Sequence, residues 1–249
     1  MSKLELTGVS WGYSGEVGCL EVLKNINITV KNGEFVSLLG PSGCGKSTIL
    51  NLVCGQEPVG AGQILINGQA TAKPGQYLAY MPQRDLLFPW RKLLDNVILG
   101  LEVAGQARTT AIARARELLP LFGLAGFENS YPSQLSGGMR QRAALLRTIL
   151  PNKDILLLDE PFGALDAITR FNMQSWLLDI WEGFRYSVLF VTHDIDEAIY
   201  LSDRIYVLTA RPGQVKEEIQ VALPRPRKPS VTAEATFVEM KSKIRKALE

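Results

Sequence analysis

The run Gly40-Pro41-Ser42-Gly43-Cys44-Gly45-Lys46-Ser47-Thr48 constrains this chain more than any other stretch. It follows an apolar segment, Phe35-Val36-Ser37-Leu38-Leu39, and leads into a second, Ile49-Leu50-Asn51-Leu52-Val53. A buried strand, a glycine loop and a helix in that order are the context in which G-x-x-x-x-G-K-[ST] cradles a phosphate chain. The glycines let successive backbone N–H groups turn inward, and the helix N-terminus behind them adds partial positive charge. The pattern directs Lys46 to the β- and γ-phosphates and the Ser47 hydroxyl to a Mg²⁺ ion. A nucleoside triphosphate is the expected ligand.

Composition narrows the setting. With 249 residues, 46% of them hydrophobic, the chain can bury a core as one large domain or two subdomains. Lys plus Arg number 27 against 25 acids, a balance that gives no electrostatic case for nucleic acid. The start, Met1-Ser2-Lys3-Leu4-Glu5-Leu6, lacks the apolar core of a signal peptide, and no apolar run is long enough to span a bilayer. Cys19, Cys44 and Cys54 have neither zinc nor redox spacing, so a reduced cytosolic setting is expected.

From Leu4 to about Ile66 the pattern reads as short strands around the loop. Asn25-Ile26-Asn27-Ile28-Thr29-Val30-Lys31 alternates as a half-buried antiparallel strand does, and Asn32-Gly33 predicts a hairpin into Phe35–Leu39. Gln63–Ile66 with Asn67-Gly68 repeats that strand-and-turn signature, and Tyr77–Met81 reads as a further strand. From about Leu93 to Leu150 the chain reads as helical. Ile112, Ala115, Leu118 or Leu119, and Phe122 fall on one face, and Pro120 is expected to kink or end that helix early. Beyond Asp154, strands at 155–159, 188–192 and 205–208 alternate with helices at 168–181 and 195–201, which implies a parallel sheet covered on both faces. The expected architecture is therefore α/β. A core of the phosphate-loop NTPase (RecA-like) kind carries an N-terminal antiparallel β subdomain and an α-helical subdomain inserted at about 84–153. The main domain is drawn at 1–222. Pro224–Pro229 reads as an extended linker to a C-terminal helix from about Ala235, within 223–249.

Three further groups carry chemistry. Leu156-Leu157-Leu158-Asp159-Glu160 ends a buried strand in two carboxylates, at the edge where α/β folds place ligands. Asp159 suits a Mg²⁺ ion and Glu160 suits activation of an attacking water. Ser136-Gly137-Gly138, opening a helix, forms a second anion site of the same physical kind, or an ordinary N-cap. A single γ-phosphate does not need two such sites in one chain, so a dimer in which this segment caps the partner's nucleotide is expected. His193, the sole histidine, follows the 188–192 strand on the ligand edge and is assigned to the γ-phosphate, while Gln83 ends another strand and is assigned to Mg²⁺ or the water.

With these residues in place, the chain from Leu4 to about Val221 resembles the ATP-binding subunits of ABC transporters. Gly40–Thr48 is similar to the Walker A motif, Gln83 to the Q-loop, Leu135–Met139 to the family signature and Ile155–Glu160 to Walker B. Ala164-Leu165-Asp166 is similar to the D-loop and His193 to the switch histidine, and Tyr13 stands where the family stacks an aromatic on adenine. Leu87-Phe88-Pro89-Trp90-Arg91, Glu160–Asp166 and Thr192–Ala198 resemble the taurine, sulfonate and nitrate importer branch. Two departures stand out: Met139 replaces the commoner glutamine, and Ser14–Leu20 is long.

The resemblance implies an ATPase that works as a homodimer on the cytoplasmic face of a membrane permease, served by a solute-binding protein, with ATP and Mg²⁺ as ligands and no nucleic-acid partner. A soluble ABC ATPase acting on DNA or ribosomes is the alternative, but it would bring coiled-coil insertions or a second cassette. A small-molecule kinase leaves Ser136-Gly137-Gly138 unexplained. The uncharged run Leu86-Leu87-Phe88-Pro89-Trp90 is read as permease contact rather than core. The Cys44 thiol, at a helix N-terminus, is expected to have a lowered pKa.

Overall fold

The computed structural model describes residues 2–15, 18–71, 73–163 and 165–249. Glu16 and Val17, in the long segment noted above, and Ala164, beside Asp166, lie outside the described residues. The chain runs β1 (Ser2–Gly15), β2 (Gly18–Lys31), β3 (Phe35–Leu39), α1 (Lys46–Val53), β4 (Ala61–Ile66) and β5 (Leu78–Met81). Four helices follow: α2 (Leu93–Val97), α3 (Leu99–Val103), α4 (Arg108–Leu118) and α5 (Gly137–Ile149). The alternating part comprises β6 (Ile155–Asp159), α6 (Ala167–Phe184), β7 (Ser187–Thr192), α7 (Ile195–Leu201), β8 (Arg204–Leu208) and β9 (Val215–Gln220), and α8 (Ala235–Leu248) closes it.

Strands pair into a three-stranded sheet, β2-β1-β4, and a six-stranded sheet, β5-β6-β7-β3-β8-β9. The period of two along the central strands builds the layers. Val36 and Leu38 of β3, Ile155 and Leu157 of β6, and Leu189 and Val191 of β7 face one core, shared with the small sheet and α1. Phe35 and Leu39, Leu156 and Leu158, and Val188 and Phe190 face a second core, shared with α2–α8. Covering both faces explains why these strands are continuously apolar. β5, β6, β7, β3 and β8 run parallel, so their C-terminal ends, and the loops that follow them, gather at one edge.

Several expectations change here. β1 and β2 are not short: each spans 14 residues, and they form one antiparallel ribbon whose register shifts absorb irregular stretches. Asn32-Gly33 makes no hairpin, because β2 belongs to the small sheet whereas β3 lies between β7 and β8 in the large one. The half-buried alternation of β2 and the wholly buried β3 already require different surroundings. Gly33 still turns the chain, at φ +67°, between the sheets. β9, antiparallel to β8, was not foreseen because Lys216, Glu217 and Glu218 interrupt its apolar pattern, as charges do on a protected edge strand. In α4 the buried face centres on Ala111, Ala115 and then Leu119 and Phe122, with Ile112 and Leu118 at its margin. The helix stops two residues before Pro120.

The proline-rich run at 224–229 is bound to the body rather than a free spacer. Arg225 lies over the Trp181 ring at 4.2 Å and donates to Asp203 at 2.7 Å. Arg227 is buried and donates to the carbonyls of Ile199, Tyr200 and Ser202. These carbonyls end α7, where a cation also suits the helix dipole. Burial lowers the Arg227 pKa to about 10, and neighbouring Arg225 adds to the effect. α8 then packs Phe237 and Ile244 into the second core.

Replacing Arg227 with Met leaves three buried carbonyls without this donor, so denaturant unfolding is expected to show a loss of roughly 2–4 kcal/mol. A variant within about 0.5 kcal/mol of wild type would show that the strap is not anchored there.

Candidate active site

The loop after β3 takes its shape from two glycines. Gly43 has φ +77° and Gly45 φ +103°, backbone regions that side chains disfavour. A Cβ on Gly45 would also stand 2.6 Å from Leu23 of β2. The turn therefore presses the loop against the small sheet and starts α1 directly after Gly45. The α1 N-cap makes no side-chain hydrogen bond and the first turn holds no acid, so the helix end keeps its free amides and positive field for an anion. Lys46 is buried, and its ammonium donates to the Gly40 and Pro41 carbonyls at 2.8 and 3.0 Å.

One cleft is lined by Ser42, Gly43, Gly45, Lys46, Ser47 and Thr48 together with Tyr13, Gln83 and Glu160. Tyr13 is 59% exposed and meets Trp11 edge-on at 4.5 Å, which makes it a surface ring rather than a core one. At the cleft floor Ser47 donates to Asp159 at 3.2 Å, and the Tyr80 hydroxyl donates to the same carboxyl at 3.4 Å. Burial, above all, raises the Asp159 pKa, and the hydrogen bond from Ser47 opposes it. A hydroxyl and a carboxylate this close are oxygen donors of the kind Mg²⁺ takes alongside phosphate and water, so the residues fit that ion.

Glu160 follows β6 in the left-handed region, at φ +43°, where a non-glycine residue is uncommon. Its N–H donates to Val191, and its Oε2 lies 3.1 Å from His193 Nδ1 and 3.3 Å from Gln83 Nε2. Three strand ends thus converge on one carboxylate.

The remaining predicted residues stand elsewhere. Ser136, Gly137, Gly138, Met139 and Asp166 line a second cleft that shares no residue with the first. There Ser136 caps α5 by accepting from Met139 N–H at 3.2 Å, and Asp166 caps α6 by accepting from Thr169 N–H at 3.0 Å. The Cys44 expectation is overturned: the side chain is buried 1% exposed against Gly40, and burial pushes the thiol pKa up despite nearby Lys46. The Leu86–Trp90 run divides. Leu87 is core, while Leu86 and Trp90 are 57% and 70% exposed. Buried Asn96 holds the turn through Phe88 and Arg91, and Arg147 binds the Leu86 carbonyl.

Two further residues make contacts that no motif of the sequence assigns to them individually. Arg211 lines the first cleft and donates to the Gly43 carbonyl at 3.1 Å; Pro212-Gly213 marks its turn between β8 and β9, but nothing local ties that turn to the phosphate loop. Glu197 lies on α7, four residues beyond His193, and is buried, where an acid is unusual.

A phosphate-loop NTPase fold, with cradle and carboxylates at one sheet edge, is the class of protein these features define. The ABC transporter family model matches residues 23–163. An uncharacterized ABC transporter ATP-binding protein of Methanocaldococcus jannaschii is 44% identical over 97% of this chain and 90% of its own. The aliphatic sulfonates import ATP-binding protein of Bacillus cereus is 42% identical over 99% of this chain and 96% of its own. The dimeric structure of a bacterial ABC transporter cassette aligns with TM-score 0.77 and 32% identity over 89% of this chain and all of that one; a post-hydrolysis state bound to ADP and Pi aligns equally well. The chain belongs to the ABC transporter ATP-binding family, and it is an ATPase of that type. Among the described residues, no helix is long and apolar enough to cross a membrane.

Glu197 supplies a test of the buried site. Burial chiefly pushes its pKa up to about 7 from the ordinary 4.5, with Asp194 adding and the Thr192 and Gln174 hydrogen bonds opposing. An acid with a raised folded-state pKa contributes its stability fully below about pH 4.5 and loses it as pH rises to about 7. At about 1.4 kcal/mol per unit, wild type is expected to lose on the order of 3 kcal/mol relative to Glu197→Gln across that window. Parallel stability curves for the two proteins would show an ordinary carboxyl.

Proposed function

We propose that this protein is the ATP-hydrolysing subunit of an importer for a small solute of the taurine, sulfonate or nitrate kind. It works as a homodimer against the cytoplasmic face of a membrane permease that a solute-binding protein supplies. One observation carries the dimer: the phosphate cradle and the Ser136-Gly137-Gly138 helix end line separate clefts of one chain. Two anion-binding helix ends meet on a single triphosphate only if the second comes from another copy. The similarity to the aliphatic sulfonates import protein supports the importer branch.

In this reading ATP lies along the cradle, with the adenine on Tyr13 and the phosphates on the amides of 40–48, where they replace the loop carbonyls as partners of Lys46. Ser47, Asp159 and Gln83 would hold Mg²⁺, which would neutralise developing phosphate charge when bound. Glu160 accepts a proton from the attacking water, and His193 contacts the γ-phosphate from the neighbouring strand end. The chain supplies positioning and electrostatics rather than a covalent intermediate. The partner's Ser136-Gly137-Gly138 segment and Asp166 complete the site, and loss of the γ-phosphate weakens the closure.

Glu160→Gln keeps size and hydrogen bonding but cannot accept a proton. Phosphate release is expected to fall about 10²–10⁴-fold while ATP binding survives and a dimer accumulates. Turnover near wild type would remove Glu160 from this role.

The exposed side of the Leu86–Trp90 turn, which begins three residues beyond Gln83, is the proposed permease contact, along which partner binding reaches the γ-phosphate. Large aromatics anchor such contacts at low entropy cost. Trp90→Ala is expected to leave the melting temperature and basal hydrolysis of the isolated subunit near wild type, weaken permease binding and abolish transport. A fall in stability of about 3–5 kcal/mol would mark a core residue instead.

A further inference from the structure

One buried carboxyl beside the cleft takes no part in the steps above. Glu197 is 4% exposed. Its Oε1 accepts from Gln174 Nε2 of α6 at 3.0 Å, and its Oε2 accepts from the Thr192 hydroxyl. That hydroxyl has a single hydrogen to donate, and its oxygen in turn accepts from the Asp194 N–H at 3.0 Å. Asp194 closes the ring by accepting from the Glu197 N–H at 3.1 Å. The residues before and after His193 are therefore both tied to Glu197. His193 itself has a side chain 54% exposed, and its contact with Glu160 is made from a turn fixed on both sides.

We propose that Glu197 is a positioning residue for the reaction: it locks the Thr192-His193-Asp194 turn to α6, so that the imidazole stands at Glu160 where the γ-phosphate is met. The inference rests on the reading of His193 given above.

Three observations favour this role over plain packing. A carboxyl in this place is expensive to bury, and burial pushes its pKa up to about 7, whereas a core position is filled more cheaply by an apolar side chain. Every partner of its two oxygens is a donor, which matches a carboxylate holding two elements together. The element it reaches, α6, begins at Asp166 in the second cleft, and Arg170 on the same helix lies 4.0 Å from Asp194. Two α6 side chains thus reach the His193 turn, Gln174 through Glu197 and Arg170 through Asp194.

The test is a double-mutant cycle on ATP hydrolysis by the full chain, with thermal melting alongside. Glu197→Leu is expected to lower kcat about tenfold to a hundredfold, the range for a reactive group displaced by about an ångström, with KM for ATP within about twofold. In a His193→Ala background the same change is expected to cost nothing further, since both act through one imidazole. Glu197→Gln keeps one acceptor oxygen and is expected to recover most of kcat. If Glu197→Leu fails to fold, Gln174→Leu removes the α6 donor instead and has the same expected outcomes. A kcat loss that multiplies with that of His193→Ala, or an unchanged kcat in a folded variant, overturns the inference. An unchanged kcat for His193→Ala alone overturns the underlying assignment of His193, and this inference with it.

Discussion

The cleft depends on a close approach between Gly45 and Leu23. At that point the chain leaves the phosphate loop in a left-handed turn, with no room for a side chain between the loop and the small sheet. The turn sets the loop amides and the first turn of α1 in one concave surface, and it fixes their distance from β6, which supplies Asp159. Because β1 and β2 form a long ribbon joined to β4, the wall behind the loop is a sheet rather than a mobile segment. A cradle built from backbone groups needs that support, since backbone dipoles stabilise developing charge only when they need not reorganise.

A second constraint lies across the cleft. Gln83, Glu160 and His193 come from the ends of three neighbouring strands, β5, β6 and β7, and they meet at one carboxylate oxygen. Parallel strands bring their ends to the same edge, so residues more than a hundred positions apart converge without a dedicated loop. Each leads to a different part of the fold: Gln83 to the exposed Trp90 turn, Glu160 to the end of β6, and His193 to α7 and through Glu197 to α6. A change in any one alters the surroundings of Glu160, the proposed base.

Much of this was legible in the sequence wherever pattern and chemistry coincide. The cradle, the β6 carboxylates and His193 stand at strand ends because continuous apolar runs, bounded by polar residues, mark central parallel strands. The runs at 155–159 and 195–201 were read with the bounds the structure gives. What failed depended on pairing between distant segments. Asn32-Gly33 has hairpin chemistry, yet β3 finds better partners in β7 and β8, and local turn preference yields to burial on both faces. Cys44 sits at a helix N-terminus, but its side chain is buried, so desolvation outweighs the nearby Lys46 charge and the backbone hydrogen bonds. Arg227 reads as part of a polar proline-rich linker because nothing local reveals the α7 carbonyls it meets. Arg211 and Glu197 are invisible for the same reason: their roles follow from neighbours far along the chain.

The central claim is that one ATP is held by the cradle of one copy and the Ser136-Gly137-Gly138 helix end of another. It is tested most directly by mixing two inactivated chains, each carrying Glu160→Gln to slow hydrolysis. One chain also carries Lys46→Ala, which spoils the cradle, and the other Gly138→Asp, which sets a negative charge at the α5 N-terminus. Retention of ATP through rapid gel filtration is the readout. The account predicts that neither chain alone retains ATP in a dimer, whereas the mixture does, because a mixed pair contains one intact composite site. A mixture as empty as its components, or full retention by the Gly138→Asp chain alone, would contradict it.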